Sequence, residues 1–110
     1  MEIVEKKLND IHILRIQGRL DSRTAPELEK RVEDSMGNGT LQLILDFQEL
    51  EYLSSAGLRI ILKTAKDLKR ANGKLILCAV EDYIKEVFEI SGFDTFLIIV
   101  ADVDQAVAMF

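Results

Sequence analysis

The chain has 110 residues, of which 48% are hydrophobic and 30% charged, and its formal net charge is −5, with 14 basic against 19 acidic residues. This length and balance predict one globular domain that folds without a disulfide or a metal, and they exclude a disordered chain. The acidic charge argues against nucleic acid as a direct partner, and the absence of a long apolar run or an N-terminal leader argues against a membrane, so we expect a cytoplasmic protein.

The first predicted elements are two strands that form an antiparallel hairpin. Residues 2–8 and 11–17 alternate imperfectly between apolar and polar side chains, and Asn9 and Asp10 separate them. The only histidine, His12, falls in the second strand. We expect it to be a partly exposed strand residue, not a metal ligand or a catalytic base.

A helix is predicted after the hairpin. Thr24 and Glu27 have the spacing of a capping box, Pro26 suits the first helical turn, and Gly37 is expected to end the helix.

Three short, almost continuous apolar runs predict strands that are covered on both faces, as parallel strands are. They lie at 41–47, 74–80 and 96–100. The single cysteine, Cys78, falls in the second run, where we expect a buried and unreactive thiol because no basic residue stands beside it in the sequence.

Helices are predicted between and after these strands. Apolar residues recur at helical spacing through 55–72 and 82–90, and Asp102 with Gln105 indicates a capping box at the start of a last helix. The order predicts an α/β fold formed by residues 1–110 as a single domain. It has a mixed, mostly parallel β-sheet with an N-terminal hairpin and about four helices packed on it.

A run of small residues, Ser54–Gly57, starts the long predicted helix. Ser54 or Ser55 could cap the helix by accepting a hydrogen bond from a free backbone N–H, which typically stabilises by about 1 kcal/mol. A cap does not account for Ala56 and Gly57, because glycine inside a helix costs roughly 1 kcal/mol relative to alanine. Either the helix packs tightly on a strand here, or the small side chains let a partner protein approach a serine at a helix N-terminus, where a phosphate is tolerated.

Three stretches of the chain resemble one known family. They are GRLDSRTAPEL at 18–28, LILDFQELEYLSSAGLRIIL at 43–62 and GKLILCAVEDYIKEVFEISGFDTFLII at 73–99. In this order they are similar to the anti-sigma factor antagonists, the anti-anti-sigma proteins of the STAS domain family. The resemblance covers nearly the whole chain and implies a single STAS-type domain.

The small-residue run can be aligned with the family motif, which commonly reads Asp-Ser-Ser/Thr-Gly-Leu. In the family, the serine after the aspartate is phosphorylated by a partner anti-sigma factor that is also a serine kinase. Aligned on Gly57 and Leu58, the resemblance places this phosphorylated serine at Ser55. The family aspartate falls on Ser54, and Ala56 stands where the family has serine or threonine.

The resemblance implies a switch protein that is not an enzyme. Unmodified, such a protein binds the anti-sigma factor serine/threonine kinase and frees a sigma factor for RNA polymerase. Phosphorylated, it releases the kinase until a serine phosphatase resets it. ATP is then bound by the kinase, so no cofactor is expected here. The residues agree, because the chain has no glycine-rich phosphate loop, no Cys/His metal spacing and no nucleophile with a paired base.

A partner-binding surface is predicted around the phosphorylated serine. Asp21 resembles a family position near the acceptor, although it could equally be a turn or cap carboxylate, and Ile60 could either contact the partner or flank the core. The predicted partner-binding residues are Asp21, Ser54, Ala56, Gly57, Arg59 and Ile60.

Two other classes of protein are alternatives. Asp46, at the end of an apolar strand, could be the phosphate acceptor of a receiver-like domain. Such a site needs neighbouring acids after the first strand to hold Mg²⁺ and a lysine after a late strand, whereas this chain begins with a hairpin around NDIH and has no lysine in FLIIVADVD. A ligand- or nucleotide-sensing STAS-type interaction module, unrelated to sigma factors, is the other alternative.

Overall fold

The computed structural model describes residues 1–110 apart from the side chain of Asp94, and within that range it contains six strands, four α-helices and one short 3-10 helix. The strands are β1 (Glu2–Leu8), β2 (Ile11–Leu20), β3 (Gln42–Asp46), β4 (Leu50–Leu53), β5 (Lys74–Cys78) and β6 (Ile98–Val100). The helices are α1 (Ala25–Gly37), α2 (Ser55–Arg70), α3 (Asp82–Ile90) and α4 (Val103–Val107), and the 3-10 helix covers Phe93–Thr95.

The strands form one mixed sheet in the order β1-β2-β3-β5-β6, and β4 pairs separately with the end of β2. β1 runs antiparallel to β2, whereas β2, β3, β5 and β6 are parallel to their neighbours. The predicted hairpin and the mostly parallel sheet are therefore confirmed.

The two faces of the sheet are covered by different helices. Leu14 and Ile16 of β2 belong to a core that also contains buried residues of α1, α2 and α3. Ile11 and Ile13 of the same strand point to the other face, where Ala106 of α4 closes a smaller core. Because side chains alternate along a strand, burial on both faces requires an uninterrupted apolar run, as predicted. Within the described chain, no helix is both long enough and apolar enough to cross a membrane.

Strand β4 is the main element that the sequence did not predict. The sequence predicts no strand at residues 50–53, yet they pair in parallel with Gly18–Leu20, which also extends β2 beyond the predicted end at residue 17. The short sequence of β4 carries no clear alternation, and Glu51 and Tyr52 are exposed. These residues form a strand because they pair with β2, which is distant in the sequence.

The capping box predicted at Thr24 and Glu27 does not form. Thr24 has near-helical dihedral angles (φ −102°, ψ −22°), whereas a capping residue needs an extended backbone. Its hydroxyl instead donates to the carbonyl oxygen of Arg19 at 2.8 Å and accepts from the N–H of Asp21 at 2.9 Å. The carboxylate of Asp21 accepts from the N–H groups of Arg23 and Thr24, so Asp21 supports this turn.

His12 is buried, and the expectation of a partly exposed side chain is wrong. It is 5% exposed because the sheet face that carries it is covered by α1. Its Nε2 atom lies 3.4 Å from a carboxylate oxygen of Glu5, whose other oxygen pairs with Arg31 of α1.

The capping predicted at the start of the last helix is found in modified form. The carboxylate of Asp102 accepts from the N–H of Gln105 at 2.8 Å, and the Gln105 side chain accepts from the N–H of Ala101, one residue before the cap.

Candidate functional site

The start of α2 assigns different roles to two adjacent serines. Ser54 is the cap: its backbone is extended (φ −91°, ψ 171°) and its hydroxyl accepts from the N–H of Gly57 at 3.2 Å. Ser55 is the first helical residue and is exposed. One hydroxyl therefore holds the helix terminus, and the next is accessible from outside.

The end of β2 fixes the position of this terminus. Gly18 has a positive φ of 93°, a conformation that glycine adopts readily, and the register between β2 and β4 shifts immediately after it. Its N–H donates to the carbonyl oxygen of Glu49 at 3.0 Å, and the N–H of Ser54 donates to that of Leu20 at 2.9 Å. Segments 18–21 and 54–57, which lie within two of the three stretches that resemble the family, are thus in contact.

Gly57 is small for an internal reason, which corrects the interpretation that its smallness serves a partner's approach. The residue is buried, and a Cβ atom built on it would lie 2.8 Å from each of three atoms: Leu20 Cγ, the Leu20 carbonyl oxygen and Leu53 Cδ1. Real Cβ atoms essentially never approach other atoms so closely. Tight packing of α2 on β2 and β4, the other alternative, explains this glycine.

Asp21 lies beside the helix terminus as part of the turn that follows Leu20. Hydrogen bonds from the N–H groups of Arg23 and Thr24 lower the pKa of its carboxyl, and the positive charge of Arg19 adds to this effect. The guanidinium of Arg19 lies 3.6 Å from the carboxylate. Asp21 is therefore a turn carboxylate that is also partly accessible at the same end of the molecule.

The remaining predicted partner-binding residues differ in accessibility. Ala56 is half-buried, Arg59 is exposed, and Ile60 is partly buried against the larger core, so it flanks that core. Tyr52 was missed by the sequence analysis: it is 41% exposed, and the Arg19 guanidinium lies 4.2 Å from the centre of its ring. Predicting strand β4 beside the Gly18 turn would have placed Tyr52 at this site.

The structure does not support a phosphate acceptor at Asp46. This carboxylate is only 1% exposed, and both of its oxygens are engaged. One accepts from the N–H of Gln48 at 3.0 Å and the other from Arg15 Nε at 3.2 Å. Asp46 stabilises the end of β3 through these two bonds.

The helix terminus suits an anion at Ser55. The N–H groups of Gly57 and Leu58 donate to Ser54, whereas no hydrogen bond is found for the N–H groups of Ser55 and Ala56 among the described residues. The first turn of α2 contains no acidic residue, while Lys69 and Arg70 lie in its last turn. The positive end of the helix dipole is consequently not neutralised by a nearby carboxylate of the same helix.

Comparison with protein families assigns the fold. The family model described as the STAS domain matches residues 2–106. The chain belongs to the STAS domain family. The match covers the hairpin, the sheet and both segments that form the candidate site.

Relatives of known name are anti-sigma factor antagonists. BtrV of Bordetella bronchiseptica, named as a candidate anti-sigma factor antagonist, is 39% identical over 93 residues, which cover 84% of this chain and 80% of BtrV. The anti-sigma-B factor antagonist of Staphylococcus aureus is 32% identical over 79 residues, which cover 72% of this chain and 73% of that protein.

Solved STAS structures have the same fold. A candidate anti-sigma factor antagonist from Thermotoga maritima superimposes with a TM-score of 0.93 at 20% identity, covering 97% of this chain and 92% of that one. The phosphorylated form of the Bacillus cell fate determinant SpoIIAA superimposes with a TM-score of 0.78 at 19% identity, covering 98% of both chains. At these identities the likeness concerns the fold alone.

Proposed function

We propose that this STAS domain is an anti-sigma factor antagonist that acts by binding and is not itself an enzyme. When unmodified, it binds an anti-sigma factor that is also a serine kinase, and the sigma factor held by that kinase is released. The observation that carries the proposal is the division of roles at the start of α2, where Ser54 caps the helix and Ser55 is exposed. The names of the curated relatives support the same function.

Phosphorylation of Ser55 is the proposed off-switch. The kinase transfers the γ-phosphoryl group of its ATP to the Ser55 hydroxyl oxygen, the hydroxyl proton is lost, and ADP remains on the kinase. A serine phosphatase later hydrolyses the phosphate ester with water and restores the hydroxyl. The existence of a phosphorylated form of SpoIIAA, which has the same fold, supports this step.

Release of the kinase is proposed to occur at the interface rather than by unfolding of the domain. A phosphate adds about −1.5 to −2 charges at pH 7 and needs space that a closely fitting partner does not leave. Two other members of the proposed partner surface are accessible near Ser55. Asp21 follows Leu20, which is bonded to the N–H of Ser54, and Arg59 is exposed one helical turn after Ser55. We expect phosphorylation to weaken binding at least about tenfold, which requires only about 1.4 kcal/mol.

Affinity capture from the native lysate, followed by phosphorylation of purified proteins, tests this function. We expect wild-type chain and the Ser55→Ala variant both to recover an anti-sigma factor kinase, because Ser55 supports neither the cap nor the core. With that kinase and labelled ATP, only the wild type should be phosphorylated, and phosphopeptide mapping should place the label on Ser55.

The matched control is Ser54→Ala, which removes the neighbouring hydroxyl and the cap. It should lose about 1 kcal/mol of stability, as capping residues typically do, yet still accept phosphate on Ser55. Label on Ser54 or on Thr64 would refute the assignment of the acceptor. The Thr64 hydroxyl is buried and donates to the carbonyl oxygen of Ile60 at 2.8 Å, so it should not be labelled. Recovery of metabolic enzymes or a transporter in place of a kinase would refute the function.

A further inference from the structure

Helix α3 exposes an apolar stripe along one side. Tyr83, Val87 and Ile90 are 53%, 47% and 86% exposed. Their spacing of four and then three residues puts them on one side of the helix. Ile84 and Phe88, which are 2% and 0% exposed, anchor a different side of α3 in the core. We call Tyr83, Val87 and Ile90 the α3 stripe.

A row of acidic residues runs along the α3 stripe. Asp82, Glu86 and Glu89 are exposed and also follow each other by four and three residues, so they share the neighbouring side of the helix. None of them takes part in the ion pairs found among the side chains that the structure describes. We call these three residues the acidic border. Lys85, the basic residue of α3, lies three residues after Asp82 and four before Glu89, so the border keeps a net negative charge. An apolar stripe with such an acidic border is complementary to an apolar surface edged by lysine or arginine.

The α3 stripe begins close to the start of α2. The Tyr83 hydroxyl donates to the carbonyl oxygen of Glu51 at 3.1 Å. Glu51 precedes Ser55 by four residues, which span at most about 14 Å when fully extended. A standard protein interface covers about 800 Å² on each partner, a patch roughly 30 Å across. A single interface of ordinary size can therefore include both Ser55 and the N-terminal part of the α3 stripe.

We propose that the α3 stripe and its acidic border form a second part of the surface that binds the anti-sigma factor kinase, where they contact an apolar patch edged by basic residues. This inference rests on the proposed function and extends it to residues outside the small-residue segment. Charge complementarity selects this occupant, because the net negative charge of the acidic border attracts basic groups and lowers the affinity of a second copy that brings the same acids. A contact on a different helix from the phosphate also gives the kinase affinity that does not depend on Ser55.

Equilibrium binding to the purified kinase from the capture experiment tests this proposal. We expect the double variant Val87→Ser/Ile90→Ser to bind the kinase at least about tenfold more weakly than the wild type. Its melting temperature should hardly change, because both side chains are largely exposed. The matched control is Val4→Ser/Leu8→Ser, which removes two exposed apolar side chains, 46% and 41% exposed, from β1. It should bind as the wild type does.

A second variant separates the charge from the apolar contact. Glu86→Lys should weaken binding and reduce its dependence on salt, whereas Asp34→Lys, the same change of charge at an exposed residue of α1, should not weaken it.

The possible outcomes distinguish this proposal from the proposed function. If wild-type protein binds the kinase and the double variant binds within about twofold of it, the α3 stripe is not part of the interface. If sedimentation shows that the wild type is a dimer and that the Val87→Ser/Ile90→Ser variant is a monomer, a second copy occupies the α3 stripe and the proposal is wrong. Failure of the wild type itself to bind any such kinase would overturn the proposed function and this inference together.

Discussion

Gly57 shows how a single residue positions the candidate site. Its hydrogen atom in place of a side chain allows α2 to start directly against the end of β2, where the Leu20 carbonyl oxygen already accepts from the N–H of Ser54. That oxygen is part of the backbone and cannot move away without breaking this bond. The exposed position of Ser55 thus depends on a buried contact two residues later.

We predict that Gly57→Ala lowers the free energy of unfolding by about 1–3 kcal/mol, the usual range for an overpacked core. This loss should occur although alanine favours a helix over glycine by about 1 kcal/mol. Urea denaturation measures the effect. Because the same clash displaces the start of α2, binding of the partner should fall together with stability.

Gly37→Ala is the matched control for this prediction. Gly37 is the last residue of α1, and a Cβ built on it meets no atom within 4 Å among the residues that the structure describes. The control should be neutral or stabilising by up to about 1 kcal/mol. Equal stability of the Gly57→Ala variant and the wild type would contradict the packing explanation.

Helix α2 is the element on which the proposed switch acts. A phosphate on Ser55 would lie at the first helical position, where the helix dipole favours an anion by roughly 0.3–1 kcal/mol, and four residues before Arg59. Both effects stabilise the helix. We therefore predict that phosphorylation leaves the circular dichroism unchanged and the melting temperature equal or slightly higher.

Amide hydrogen exchange over residues 55–70 is the direct measurement for this element. Protection should be the same or greater in the phosphorylated protein, and raising the salt concentration should reduce any gain, because exposed charges are screened. A large loss of protection would mean that the switch works by unfolding α2, and the proposed release at the interface would then be wrong.

At the scale of the whole molecule, Cys78 reports on the integrity of the sheet. It lies in β5, between β3 and β6, and is 0% exposed. Burial raises the pKa of its thiol to about 12, and the charge of Asp46 acts in the same direction. Because the thiolate is the reactive form, we predict that the folded protein hardly reacts with a thiol reagent at pH 8 and that urea raises the rate in parallel with global unfolding.

The Ser55→Cys variant provides an internal control for this experiment. Its new thiol is exposed at the start of α2 and should react at once, while Cys78 in the same molecule should react only on unfolding. Two thiols of equal reactivity in the folded state would show either that the sheet opens locally at β5 or that residue 55 is less accessible than the structure indicates.

Most of the elements follow from the sequence alone, and the sequence also predicts where the candidate site lies. The hairpin, the apolar runs and the amphipathic helices are local patterns, and each is caused by interactions between residues close in the chain or by burial of one strand on both faces. They were found close to their predicted bounds. The resemblance of 18–28 and 43–62 to one family also pointed to Ser55, and the family model matches residues 2–106.

The remaining features result from contacts between segments that are distant in the sequence, and they became known only from the three-dimensional fold. Strand β4 exists because it pairs with the end of β2, and Thr24 turns its hydroxyl to Arg19 because Asp21 already supports the turn. His12 is buried because α1 covers its face of the sheet. Gly57 has no side chain because Leu20, 37 positions earlier in the numbering, occupies the space. In each case the contact that determines the local structure is made by a residue of another segment, so a pattern of neighbouring residues cannot predict it.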